Sequence, residues 1–112
     1  MIVRRVAEVQ EEEITEEGAK GVKKRVLLGP EEGVPNFVMR YFTVSPGGVT
    51  PLHSHPWEHE IYILEGKGEV FCGGEREGVE EGAAVFIPPD VLHQIRNTGK
   101  SSLQLLCLIP LR

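Results

Sequence analysis

The sequence lacks long apolar runs, paired cysteines and sustained helical periodicity. Its two cysteines, Cys72 and Cys107, lie far apart and form no CxxC pair. In an intracellular chain such cysteines read as free thiols, with at least one packed as a small hydrophobe. No apolar run approaches membrane-spanning length. No apolar leader follows Met1 either, because Ile2-Val3 gives way at once to Arg4-Arg5. Basic residues are in deficit, 12 Lys and Arg against 17 Asp and Glu, for a formal charge of −5. A nucleic acid or an anionic membrane needs a basic surface, so neither is expected as a partner. The expectation is a cytoplasmic protein, and 112 residues suit a single domain spanning 1–112.

What the chain does have is frequent punctuation. Gly29-Pro30-Glu31-Glu32-Gly33, Pro46-Gly47-Gly48, Gly73-Gly74, Pro88-Pro89-Asp90 and Asn97-Thr98-Gly99 all read as turns. Between them lie short runs rich in Val, Ile, Leu, Phe and Tyr. The clearest are Val22 to Leu28, Phe37 to Val44, Glu60 to Leu64 and Leu103 to Ile109, with Lys67 to Cys72 and Ala83 to Ile87 shorter. Gly73-Gly74 reads as a hairpin turn. Many short strands at regular spacing predict an all-β sandwich or barrel. The best helix candidate, Glu8 to Glu17, is acidic and polar, and reads most simply as a solvated face or loop.

The four histidines carry the chemistry. Three fall in His53-Ser54-His55-Pro56-Trp57-Glu58-His59, and the fourth is His93. On a strand, His53 and His55 would point to one face. Pro56 then breaks the strand, and the chain can send His59 back toward the same centre. Imidazole is the commonest transition-metal ligand, so the pattern predicts a metal site rather than a chance surface cluster.

At these residues the sequence resembles the cupin superfamily. The first motif of that family begins at Gly47, reaches the His53/His55 pair, passes His59 and closes at Gly66. The second runs Gly82, Pro88, Asp90, His93 and Asn97. There are two departures. Asp90 stands where the family has glycine, and aspartate tolerates left-handed backbone better than most residues. His59 stands where the family usually has a glutamate ligand. Glu60 would serve if the gap were one residue longer, but the spacing to Gly66 favours His59.

The resemblance implies a double-stranded β-helix, a jelly-roll barrel, with one divalent transition metal in its mouth on His53, His55, His59 and His93. It points to manganese first and iron second. Intrinsic affinity keeps nickel, copper and zinc open. Four neutral ligands leave the ion its full charge, with positions free for a substrate. The activity implied first is a metal-dependent, dioxygenase-like oxidoreductase acting on a small organic substrate, with a metal-dependent isomerase, lyase or decarboxylase as the alternative. A non-catalytic small-ligand module is the further alternative. Glu58, Glu60 and Asn97 are candidates to orient the imidazoles.

Two expectations concern the remaining strands. In the last run, burying the Gln104 amide unpaired would be costly, so Leu103, Leu105, Cys107 and Ile109 should face the barrel. Leu105, Cys107 and Ile109 then line the pocket, with the Cys107 thiol open to oxidation near a reactive centre. Ile2 to Val6 and Val22 to Leu28 are not needed by the motifs, and are expected to extend a partner's sheet in a homodimer.

Overall fold

The alternation of buried and exposed side chains builds an all-β jelly-roll barrel. The computed structural model describes residues 1–111. Its strands are β1 (Glu12–Glu13), β2 (Lys20–Leu28), β3 (Phe37–Val49), β4 (His59–Glu65), β5 (Lys67–Cys72), β6 (Glu75–Glu80), β7 (Ala84–Ile87), β8 (His93–Asn97) and β9 (Leu103–Pro110). One layer runs β2-β3-β9-β4-β7 and the other β6-β5-β8, with every pairing antiparallel. The layers join where the end of β3 leaves β9 and meets β8, at Val49 opposite Arg96.

That junction corrects the reading of Pro46-Gly47-Gly48 as a strand end. β3 runs through it as a bulged corner: Val22 pairs Val44, and Lys20 then pairs Val49. A bulge bends a strand without ending it. At the corner a Cβ on Gly48 would lie 2.7 Å from the Lys20 carbonyl oxygen and 2.8 Å from that of Ser45, so only glycine fits. The Gly73-Gly74 turn does close a hairpin between β5 and β6, with both φ angles positive, at 59° and 87°.

The inner faces close over Val22, Val44, Ile61, Ile63, Ile87, Ile95, Leu103 and Leu105, all buried. Gln104, on the outer face of β9, is hydrogen-bonded to the Tyr41 hydroxyl. The helix candidate does not form. Val6–Glu8 is a single 3₁₀ turn, and Glu12 and Glu13 pair as a strand with Lys24 and Lys23. An acidic run has no apolar stripe to bury as a helix, whereas opposite charges across a strand pair attract. Ile2 to Val6 is not a strand either. Instead the Arg4 guanidinium donates to the Leu27 carbonyl at 2.7 Å and pairs with Glu32 at 3.0 Å. The segment Val22 to Leu28 is used within the chain's own barrel, paired to β3. Among the described residues no helix is long and apolar enough to cross a membrane.

Candidate metal centre

The four histidines converge at one mouth of the barrel by different routes. His59 opens β4 and His93 opens β8, both with side chains facing inward and buried. His53 and His55 lie on a loop, not on the strand expected for them. A single bridge replaces the strand: His93 N–H donates to the His53 carbonyl at 2.9 Å, and His53 N–H returns to the His93 carbonyl at 3.2 Å. Two residues on, the His55 carbonyl accepts from Asp90 N–H at 2.8 Å. Pro51 and Pro56 flank the segment and cannot donate to a ladder, which is why pairing there shrinks to one bridge. Asp90 adopts the left-handed backbone that its motif position requires, at φ 65°.

Five of the six ring pairs stand with centroids 4.6–5.1 Å apart; His53 and His59 are the pair not in ring contact. Ligand atoms of His53, His55 and His93 all lie within 4.8 Å of one another, a spacing that suits one ion. His59 is attached through His55, with their Nε2 atoms 2.7 Å apart.

The partners of each Nδ1 assign the tautomers. His55 Nδ1–H donates to the Trp57 carbonyl at 2.9 Å, and His93 Nδ1–H to the Val91 carbonyl at 2.9 Å. His53 Nδ1 faces the Glu16 carboxylate at 3.0 Å. In all three an acceptor holds the Nδ1 proton, which leaves Nε2 as a lone pair for a metal. His55 is also stacked on the Trp57 ring, 4.2 Å between centroids and 7° from parallel.

His59 is different. Its Nδ1 faces Cys107 Sγ at 2.8 Å and the Arg40 guanidinium at 3.3 Å. Arginine only donates, so Nδ1 accepts and the proton sits on Nε2, directed at His55 Nε2. Burial first, and the Arg40 charge second, push the His59 imidazole down to about 3. Burial also lowers His55 and His93, and raises the Cys107 thiol. These three imidazoles are therefore neutral at physiological pH, the form that binds metal.

Beside the histidines is a cavity of about 260 Å³, and Leu105, Cys107 and Ile109 of β9 line it. The other residues proposed to orient the imidazoles lie elsewhere. The Asn97 amide donates to the Val44 and Ser101 carbonyls and accepts from Gly99 N–H, so it holds the β8–β9 turn. Glu58 and Glu60 line a separate groove with Phe37 and Leu108. Sequence reasoning missed Glu16, Arg40 and the Trp57 carbonyl. Arg40 was findable, since it shares the inward parity of Phe42 and Val44 on β3, where a charge is out of place. Glu16 was not, because nothing in an acidic run marks which member folds back on His53.

An antiparallel jelly roll with imidazoles gathered at one mouth defines a cupin. Residues 40–109 match the model of the Cupin_2 family, described as a cupin domain, and the chain belongs to that family. Among solved structures it is similar to the polyketide cyclase RemF from Streptomyces resistomycificus. That likeness has a TM-score of 0.89 at 36% identity, over 99% of this chain and 81% of that one. It is also similar to the oxalate-binding protein of Thermotoga maritima, 32% identical over 96% of this chain and 93% of that protein. An uncharacterized protein of Methanocaldococcus jannaschii is 42% identical over 65 residues, 57% of this chain; the chain spans about half of that relative's length, 52%.

Proposed function

We propose that the chain is a metal-dependent cupin that acts on a small organic molecule in the 260 Å³ cavity, with His53, His55, His93 and His59 holding one divalent transition metal. The observation that supports it most is the pinning of three Nδ1 protons on acceptors, which leaves three lone pairs within one ion's reach. His59 would serve as the fourth ligand with its proton on Nδ1, donated to Cys107 Sγ in place of the present contact with Arg40. Manganese is the ion proposed first and iron second, with nickel, copper and zinc as further candidates. The two free cysteines suit a reducing, cytoplasmic setting.

When bound, the ion supplies Lewis acidity to an oxygen of the substrate. The chain's own residues do the rest. The apolar walls exclude water, and Glu16, which lines the cavity beside His53, is the carboxylate placed to hold or pass a proton. Four neutral ligands disfavour the ion's higher oxidation state, so the reading favoured is redox-neutral: a lyase, decarboxylase or isomerase. The polyketide cyclase among the similar proteins suits that reading, whereas the oxalate-binding protein suits a small-ligand module equally. The second reading is a dioxygenase-like oxidoreductase, kept open by the ion's free positions. Metal-loaded protein offered small enols, diketones and catechols in an oxygen electrode separates the two. Product formation without oxygen uptake supports the first reading, and stoichiometric uptake overturns it in favour of the second.

A further inference from the structure

Arg40 has more donors than the protein gives it acceptors. Its Nη2 donates to Cys107 Sγ at 2.9 Å and lies 3.3 Å from His59 Nδ1. Sulfur is a weak acceptor, and the single Nδ1 lone pair is shared with the thiol. The Nε atom is buried with no hydrogen-bond partner. Among the described residues no carboxylate pairs with Arg40. The guanidinium is held in place from one side, over the Phe42 ring at 5.0 Å. Arg40 is half-buried, and a guanidinium so withdrawn from water normally meets a carboxylate fork.

The cavity's charge balance points the same way. Its lining carries two cations, Lys24 and Arg40, and one carboxylate, Glu16, which is engaged by His53. Two positive charges less one negative leave an excess of one positive charge, in a chain whose formal charge is −5. A positive recess in an acidic protein draws anions inward and repels cations. The remaining walls are apolar, with Val22, Ile61, Ile95, Leu105 and Ile109 among them. A cavity of about 260 Å³ is small beside ligand pockets of roughly 300–1,000 Å³.

We infer that the cavity binds a small organic carboxylate with an apolar body, and that Arg40 is the residue that selects it by supplying the N–H groups its carboxylate accepts from. This deepens the reading of the cavity as the substrate site, but it does not depend on which metal is bound. The test is calorimetric titration of 3-methylbutanoate and of its isosteric amide, using manganese-loaded and metal-stripped protein. Wild type, Arg40→Gln and Arg40→Lys are compared, with metal content measured on each. The carboxylate should bind wild type in preference to the amide. Arg40→Gln should weaken the carboxylate by about tenfold or more while leaving the amide unchanged, the effect of losing a charge-assisted hydrogen bond. Arg40→Lys keeps the charge without the fork and should fall between the two. Equal binding of carboxylate and amide by wild type overturns the inference, as does no carboxylate binding at millimolar concentration, or the same affinity in Arg40→Gln. If metal proves stoichiometric without carboxylate preference, the inference falls and the metal reading stands. If Arg40-dependent preference appears in a protein that takes up no metal, the reverse holds.

Discussion

Each imidazole at the mouth of this barrel is set by what stands behind it. Glu16 and the carbonyls of Trp57 and Val91 fix three of them, and Arg40 with Cys107 sets the fourth. Depression of the His59 pKa makes a prediction for the metal-free protein. Between pH 6.5, the ordinary imidazole value, and about 3, the unfolded chain binds a proton at His59 that the folded chain refuses. Stability is therefore complete above that window and falls as the pH drops through it; the lowered values of His55 and His93 act in the same direction. Scanning calorimetry of metal-stripped protein should show Tm declining from neutral pH downward, and a flat profile over that range would contradict the buried, neutral cluster. Asn97 gives the opposite kind of test. Its amide makes three hydrogen bonds, two within the β8–β9 turn and one to the Val44 carbonyl of β3. Asn97→Ala should cost about 2 kcal/mol in denaturant unfolding while leaving metal content unchanged. A loss of metal at unchanged stability would return Asn97 to the role of orienting an imidazole.

At the scale of elements, the chain's strands were legible where side-chain alternation ran unbroken. β9 is the clearest case: placing Gln104 outward puts Leu105, Cys107 and Ile109 on the cavity. Two misreadings share one cause, which is that local signals do not report long-range pairing. Pro46-Gly47-Gly48 has turn composition, yet pairing with β2 carries the strand through it. His53 and His55 alternate like strand residues, yet the flanking prolines leave only the bridge to His93. In Glu8 to Glu17, read as a solvated face or loop, only Glu12 and Glu13 pair with Lys24 and Lys23 of β2, and most of the run is exposed. The glutamate that completes the site lies in that same segment. The corner in β3 yields a further prediction. Gly48→Ala would drive a methyl group to 2.7 Å from the Lys20 carbonyl oxygen. Destabilisation of about 1–3 kcal/mol is expected, the usual cost of overpacking. Wild-type unfolding midpoints would mean the corner has room that the backbone does not show.

For the whole molecule, both the barrel and its histidine-rich mouth could be read from two spaced motifs, because those motifs name the residues that must converge. The cations of the cavity could not be read this way, since Lys24 and Arg40 stand upstream of the first motif. The apolar exterior favours self-association. Ile2, Val3, Phe37 and Phe86 are each more than half exposed. We expect a homodimer that covers part of this surface. Arg4 already occupies carbonyls along the free edge of β2, so the N-terminal arm is the more available element. Sedimentation at micromolar concentration should give the mass of two chains; a monomer throughout would leave the arm's exposure unexplained. The central claim concerns the metal. Elemental analysis of untagged protein should find about one divalent transition-metal ion per chain, as a three- or four-ligand site holds. It should find almost none in a variant carrying both His53→Ala and His93→Ala, and a reduced but measurable content in His59→Ala. A double variant with wild-type metal content, or wild-type protein that stays empty after exposure to manganese, iron and zinc, would contradict the account.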